Sequence, residues 1–489
     1  MVIDNDLSET TKPHSWVGWL KGIGWCVLIL ALLIVLGVFW YQGRMAGKLQ
    51  EMLAELDCND PGWRLREIEV ARDNPPEEEN SARVVAEAAR QMPQQWPSAD
   101  FSRKELLRSL SPNEMLSGED FILLSRELAG VRAALATVGK LADMPRGRHP
   151  IDYKRNPIAT LLPHLQECRN LVHLLVYESM RRNQKRDSKN ALIACRAALN
   201  VARSIGDEPI YISQLVRSTC VITICQAIER TLGQGEPSPE DLKVLQKLLE
   251  EEDAFPALLI ATRGERAILH QVFAAVDRGE VSLKELAGFT RTASAPPDWL
   301  QNSFISLWRM DTREDNALFL SLMTRRLKEV QRPLHEQAAL EKEFEREVRA
   351  LPKNAMITRL LLPAMSKTGE TFRHKHALLR STIAALATER CRHDKKVWPD
   401  NIDQLCPQYL ATVPLDPYDG KPLHYRRVKD GIVIYSVGQD GVDNGGNLNG
   451  ERLTLPGVDT GFRLWDAVQR RQPPQAKPPH PFEAPTPPT

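Results

Sequence analysis

Gly22-Ile-Gly-Trp-Cys-Val-Leu-Ile-Leu-Ala-Leu-Leu-Ile-Val-Leu-Gly-Val-Phe-Trp-Tyr41 contains no charged residue. A helix of about 20 residues is roughly 30 Å long, the thickness of a bilayer's hydrocarbon core. Trp16, Trp19 and Trp25 stand at one end of the run, and Phe39, Trp40 and Tyr41 at the other. Aromatic rings are favoured at both membrane interfaces. Lys21 and Arg44 bracket the segment. The reading is a transmembrane anchor over residues 16–42, held in the membrane through residues 22–41. Uncharged runs of this length are rare in soluble cores. The run is also too long for the apolar part of a signal peptide, and no small-residue cleavage site follows it. Charge does not orient the span, because Lys12 and Lys21 precede it and Arg44 and Lys48 follow it, an even count.

Outward from the anchor, residues 1–15 form a polar tail, and residues 43–80 form a juxtamembrane segment broken at Pro61-Gly62 and again at Asp73-Asn-Pro-Pro-Glu-Glu-Glu-Asn80. Residues 81–370 then read as a long helical body, either a bundle or a helical-repeat-like array. Ser111-Pro112-Asn113-Glu114 and Ser238-Pro239-Glu240-Asp241 carry helix-start chemistry: an N-cap serine, a first-turn proline and a returning carboxylate. Leu242, Leu245, Leu248 and Leu249 mark one apolar helical face. Residues 190–203 are alanine-rich and suit close helix packing. The segment Gly235–Leu242 has an echo at Gly279–Leu286, which fits either a repeat or a shared grammar of helix starts.

The 489 residues suffice for two or three domains. The 64 basic residues nearly balance the 63 acidic ones, so nucleic acid is not an expected partner. Aromatics make up only 6% of the chain, and abundant Leu, Ala, Glu and Arg favour helix over sheet. The eight cysteines include no C-x-x-C spacing, which argues against a structural zinc site, and in a chain of this length they do not form a disulfide framework.

The character changes in residues 371–470. A helix rich in Ala377, Ala384, Ala385 and Ala387 reaches Trp398-Pro399. Asp416-Pro417-Tyr418-Asp419-Gly420-Lys421-Pro422-Leu423 follows, and then two strand-like runs, 423–428 and 432–437, around the turn Lys429-Asp430-Gly431. The segment Tyr435-Ser436-Val437-Gly438-Gln439-Asp440-Gly441 opens a Gly/Asp/Asn loop. In order and spacing, residues 372–446 resemble the C-terminal part of a type II secretion major pseudopilin. The resemblance implies a small α+β module with an antiparallel sheet and a calcium-binding loop. The prepilin processing motif is absent: Lys21-Gly22 is followed by Ile23, and the fifth position is Val27 instead of glutamate. The chain is therefore not expected to be processed or to polymerise as a pilin. Its overall plan also resembles large single-pass bacterial envelope proteins, which implies an inner-membrane location with a cytoplasmic N-terminus and an extracytoplasmic, periplasmic body. The proline-rich stretch 471–489 reads as a disordered tail.

For chemistry, Asp440, Asp443, Asn444, Asn447, Asn449 and Glu451 place hard oxygen ligands on a glycine-rich loop, which suits calcium. Val442 occupies what would be the third EF-hand position and cannot ligate through its side chain. The same residue types also serve turns, through positive φ and side-chain bonds to nearby N–H groups, and both readings stand at this point. Asp416 and Asp419 read as turn residues. His374 and His376 are two apart and point to different faces of a helix, and His393 does not complete a metal set. His164, Cys168 and His173 read as packing. Arg263-Gly264-Glu265-Arg266 reads as an ion-pair network or an interaction patch. Cys391 and Cys406 are a candidate disulfide. P-loop, Rossmann, G-x-S-x-G and H-E-x-x-H motifs are absent.

These readings lead to one expectation and two alternatives. The expectation is a non-catalytic, membrane-anchored scaffold or adaptor with envelope protein partners and a link to type II secretion-like machinery. The alternatives are an envelope hydrolase with its site in the helical body, and a sensor that binds a ligand on a concave helical surface.

Overall fold

The computed structural model describes residues 16–290, 312–366, 368–448 and 456–475. The tail at 1–15, most of that at 471–489, and Asn449 and Glu451 of the candidate loop lie outside the described residues. The chain is mainly helical with one small sheet. The helices are α1 (Trp16–Asn59), α2 (Leu65–Ala71), α3 (Ser81–Arg90), α4 (Ala99–Arg103), α5 (Leu106–Ser109), α6 (Gly118–Ala129), α7 (Arg132–Gly139), α8 (Pro163–Gln184) and α9 (Ser188–Arg203). They continue with α10 (Tyr211–Gln234), α11 (Pro239–Ala254), α12 (Ala257–Asp277), α13 (Leu283–Thr290), α14 (Arg313–Glu329), α15 (Leu334–Arg349), α16 (Met356–Ser366) and α17 (Gly369–Lys395).

The local signals explain several of these starts. Ser238 caps α11 by accepting from the Asp241 N–H at 3.2 Å, and Leu242, Leu245 and Leu249 are buried on its inner face. Ser282 and Glu285 form the same kind of box at the start of α13, so the echo between 235 and 286 is a repeated cap. Asp187 opens α9, whose Ala191, Ala194, Ala197, Ala198 and Ala202 are buried against its neighbours. Small side chains let helix axes approach closely, and α8 and α9 pack along each other.

Ser111 behaves differently from its sequence signal. It begins a turn in which the Glu114 N–H donates to Ser111 O at 2.9 Å, and the helix starts only at Gly118, capped by Ser117. The far end of the chain holds this segment. The Met115 N–H donates to Gln472 O at 2.9 Å, and the Gln472 N–H to Asn113 O at 2.7 Å. Those tertiary bonds use the backbone groups that a helix would have needed.

The sheet runs β1 (His424–Val428), β2 (Gly431–Ser436), β3 (Thr460–Trp465), antiparallel in that order. Tyr425 pairs with Ile434, and Ile434 with Phe462. Gly431 is required in the hairpin: its φ is +154°, and a Cβ there would fall 1.9 Å from Leu464 O. One continuous core takes in α3, α6 to α11, α17 and the sheet, with Leu379, Ile383 and Leu386 packing with Ile432, Ile434, Phe462 and Leu464. The sheet therefore shares its core with the helical body.

A second core joins α1 to α12, α14, α15 and α16. Leu56 and Trp63 are buried there with Phe273, Phe319 and Phe344, and Leu49, Met52 and Leu53 pack at its edge. The helix α1 is unbroken from the apolar run into this core. Residues 23–33, 35–37 and 40 are all exposed. Among the described residues no helix is long and apolar enough to cross a membrane. The side chains at Ile34, Val38, Phe39 and Tyr41 fall outside that description, so the reading of 22–41 as a span rests on the sequence.

Candidate functional site

Three short spacings converge on one cavity. Gln226 and Glu229 are three apart on α10, and His374 and Leu378 are four apart on α17, so each pair shares a helical face. Gly461, Arg463 and Trp465 alternate along β3. Together with Ser111, Val433, Gly446, Leu448, Asp459 and Thr460, they line a cavity of about 200 Å³ between the sheet and the two helices.

Glu229 Oε1 accepts the backbone N–H of Arg463 at 2.9 Å. Burial pushes its carboxyl up to about 7, against the pull of the Arg463 N–H and guanidinium. That guanidinium is turned to Asp430, reaching both carboxylate oxygens at 2.6 Å, and lies over the Trp465 ring. His374 is 6% exposed, its Nδ1 lies 3.4 Å from Thr460 Oγ1, and burial pushes it down to about 4, so the imidazole is neutral at physiological pH. Asp459, 1% exposed, accepts N–H groups from Asn444 at 3.2 Å, Gly446 at 2.7 Å and Asn447 at 3.2 Å. This one carboxylate shapes the loop that forms the cavity rim. A carboxyl poised near neutrality beside a neutral imidazole, in a half-apolar recess, is a binding arrangement.

The described residues of the expected calcium loop make hydrogen bonds within the protein. Asp440 accepts from the Val442 N–H at 3.0 Å, the Gly457 N–H at 2.8 Å and Asn444 Nδ2 at 3.3 Å. Asp443 accepts from the Gly445 N–H at 2.8 Å and the Tyr435 hydroxyl at 3.0 Å. Asn447 Nδ2 donates to Gly457 O at 2.8 Å. Among the described residues no group of three or more His, Cys, Asp or Glu side chains is arranged to hold a metal ion. Asp416 likewise serves the turn, accepting from the Tyr418 N–H, the Val437 N–H and the Ser436 hydroxyl at 2.7–2.8 Å. Asp419 accepts from the Lys421 N–H at 2.9 Å.

The histidines of α17 diverge. His374 faces the cavity, His376 pairs with Asp253 at 2.6 Å, and His393 lies 3.7 Å from Glu389. Cys391 and Cys406 are both free thiols. His164 and Cys168 do come together, in a buried cluster with three residues that their own helix could not announce. His149 Nε2 lies 3.1 Å from Ser204 Oγ and 4.0 Å from Cys168 Sγ, and His164 Nε2 lies 2.9 Å from Glu208. The cluster is sealed from solvent, and burial pushes the Cys168 thiol up and His149 down to about 3. A thiol held protonated is a packing group. His173 is exposed and lies against Tyr177.

A wider recess of about 540 Å³ is lined by Arg392, Lys396, Trp398, Arg427 and Asp466. Its guanidiniums are already engaged, Arg392 by Glu389 and Glu236 and Arg427 by Asp466. Sequence reading did not single out Glu229, Asp459, Thr460 or Arg463. Two signals were there: the alternation in Thr460-Gly-Phe-Arg-Leu-Trp465, and a lone carboxylate inside the apolar run of α10. Comparison with known proteins finds no matching family model, no matching curated protein and no matching solved structure.

Proposed function

We propose that the protein is a membrane-anchored, extracytoplasmic helical scaffold of a bacterial envelope, holding a rigid body at a fixed stance above the bilayer. The observation that carries this reading is the continuity of α1. Its 44 residues run from the apolar segment into the second core without a break, a length of roughly 66 Å at 1.5 Å per residue. The junction is fastened by ion pairs. Lys48 reaches Glu314 at 2.9 Å, Asp57 pairs with Arg64, and Asp60 pairs with Arg263 at 2.9 Å and with Arg266. Arg263 and Arg266, read from sequence as a network or a patch, thus act within the fold. Gly264 lets α12 approach Pro209, where a Cβ would fall 1.9 Å from the carbonyl oxygen. An adaptor role toward secretion-like machinery belongs to the same proposal.

Fractionation tests it. The full-length chain should stay with membranes through alkaline carbonate extraction, and a variant lacking residues 1–42 should be soluble. Full-length protein in the soluble fraction would sink the reading. A periplasm-selective protease should reach the body in spheroplasts, and protection of the body would reverse the topology.

A second reading is favoured by one observation, the meeting of Glu229 and His374 in a cavity: the body binds a small ligand there. A hydrolase is less well supported, because the Ser111 hydroxyl in the lining is spent on Asn113 Oδ1 at 2.7 Å, and the Thr460 hydroxyl lies 3.4 Å from His374 Nδ1, beyond the roughly 2.6–3.2 Å of a nucleophile–base pair.

A further inference from the structure

We infer that the cavity between α10, α17 and β3 takes a small organic cation, a ligand carrying a primary or secondary ammonium group, with Glu229 as its counterion. The inference rests on the ligand-binding reading and names the chemistry of that ligand. Glu229 has one neutral donor, the Arg463 N–H, and no ion pair among the described residues. The nearest guanidinium, that of Arg463, is held by both oxygens of Asp430 at 2.6 Å. Glu229 shares the cavity with two acceptors, neutral His374 from α17 and the Asp459 carboxylate, and with one cation, Arg463, whose Nη2 is held by Asp430. With its proton on Nδ1, His374 donates to Thr460 and keeps Nε2 as an acceptor.

A partly buried carboxylate without its own ion pair is held at a cost, and a ligand that brings a cation relieves that cost. The walls supplied by Leu378, Val433 and Trp465 suit a short methylene chain. About 200 Å³ is room for about seven heavy atoms, since one water occupies roughly 30 Å³ of liquid. Binding would drive the proton off Glu229, so affinity should rise with pH until that carboxyl is fully ionised.

Full-length protein in detergent micelles is titrated calorimetrically with ethanolamine and with cadaverine, and in parallel with ethylene glycol and acetate. The same series is run on Glu229→Gln, which keeps an acceptor for the Arg463 N–H, and on Leu378→Trp, which fills the recess. Binding of an ammonium probe that weakens about tenfold or more in E229Q, the worth of a charge-assisted contact, supports the inference. That binding should also weaken between about pH 8 and pH 5 and vanish in L378W. Binding of the neutral or anionic probe with equal strength in E229Q overturns the cation while leaving a ligand cavity. An ammonium affinity unchanged by E229Q overturns it as well. Silence of all four probes at about 10 mM, where a Kd near 1 mM would show, overturns both the cation and the ligand-binding reading.

Discussion

The backbone N–H of Arg463 donates to Glu229 at 2.9 Å, across 234 residues of chain. This bond fastens the edge strand β3 to α10 and leaves the carboxylate facing the cavity. Glu229→Ala removes the acceptor of a part-buried N–H, a loss toward the lower end of about 1–3 kcal/mol. Glu229→Gln keeps an acceptor and should cost less than half as much. Urea unfolding of both variants measures the difference, and equal losses would show that the bond contributes nothing.

Stability should pass through a maximum in mildly acidic to neutral solution, because buried groups pull in opposite directions. Burial raises the carboxyls of Glu229 and Glu265 to about 7 from 4.5. Their contribution is full below pH 4.5 and is lost as pH rises through 7. Burial lowers His374 and His376 to about 4 and His149 to about 3, from 6.5. Their contribution is full above pH 6.5 and is lost as pH falls toward 4. In urea midpoints taken across pH, E229Q should flatten the decline on the alkaline side and His374→Gln the decline on the acid side. Unchanged slopes would refute both assignments.

Asp60 fastens the junction between α1 and the body. It pairs with Arg263 and with Arg266, whose side chain is 1% exposed. Asp60→Ala leaves a buried guanidinium without its carboxylate, and breaking a buried pair in this way costs about 3–5 kcal/mol; partial exposure of Asp60 points to the lower end. Thermal unfolding in micelles should show a large drop in midpoint. A spin-label distance between Leu30 and a site on α12 should broaden at the same time.

Lys375 is a buried ammonium, 1% exposed, whose Nζ has no hydrogen-bond partner although Glu252 and Asp253 act on it electrostatically. Those two carboxylates have partners of their own, Arg217 at 2.6 Å for Glu252 and Arg380 at 3.0 Å for Asp253. Lys375→Met should therefore stabilise the protein by about 1–2 kcal/mol. Calorimetric melting of the variant checks this, and a fall in midpoint would mean that the ammonium is needed to balance the acidic pair.

Asp459 collects three backbone N–H groups from residues 444–447. Asp459→Ala should speed amide hydrogen exchange at Asn444, Gly446 and Asn447 by about tenfold or more while leaving the β1–β2 hairpin protected. Uniform protection across the loop would show that another group shapes it.

The linear chain was informative wherever the controlling interaction spans a few residues. The uncharged run at 22–41, the Ser238 cap of α11, the alanine face of α9 and the hairpin at 429–431 depend on neighbours within a turn or two, so spacing alone exposes them. Ser111 shows where that stops: it has the chemistry of a cap, but Gln472 takes the backbone groups around it, and the helix begins later at Gly118. Strand β3 is not legible from spacing although Phe462 and Leu464 alternate, because its pairing with β2 crosses a long loop. The loop carboxylates announced oxygen chemistry in general, and only folding decided that Asp440 and Asp443 spend it on N–H groups. Tertiary structure alone brought Glu229, His374 and Arg463 to one cavity. Each sits on a different element, and packing between α10, α17 and β3 sets their separation, which no local periodicity encodes.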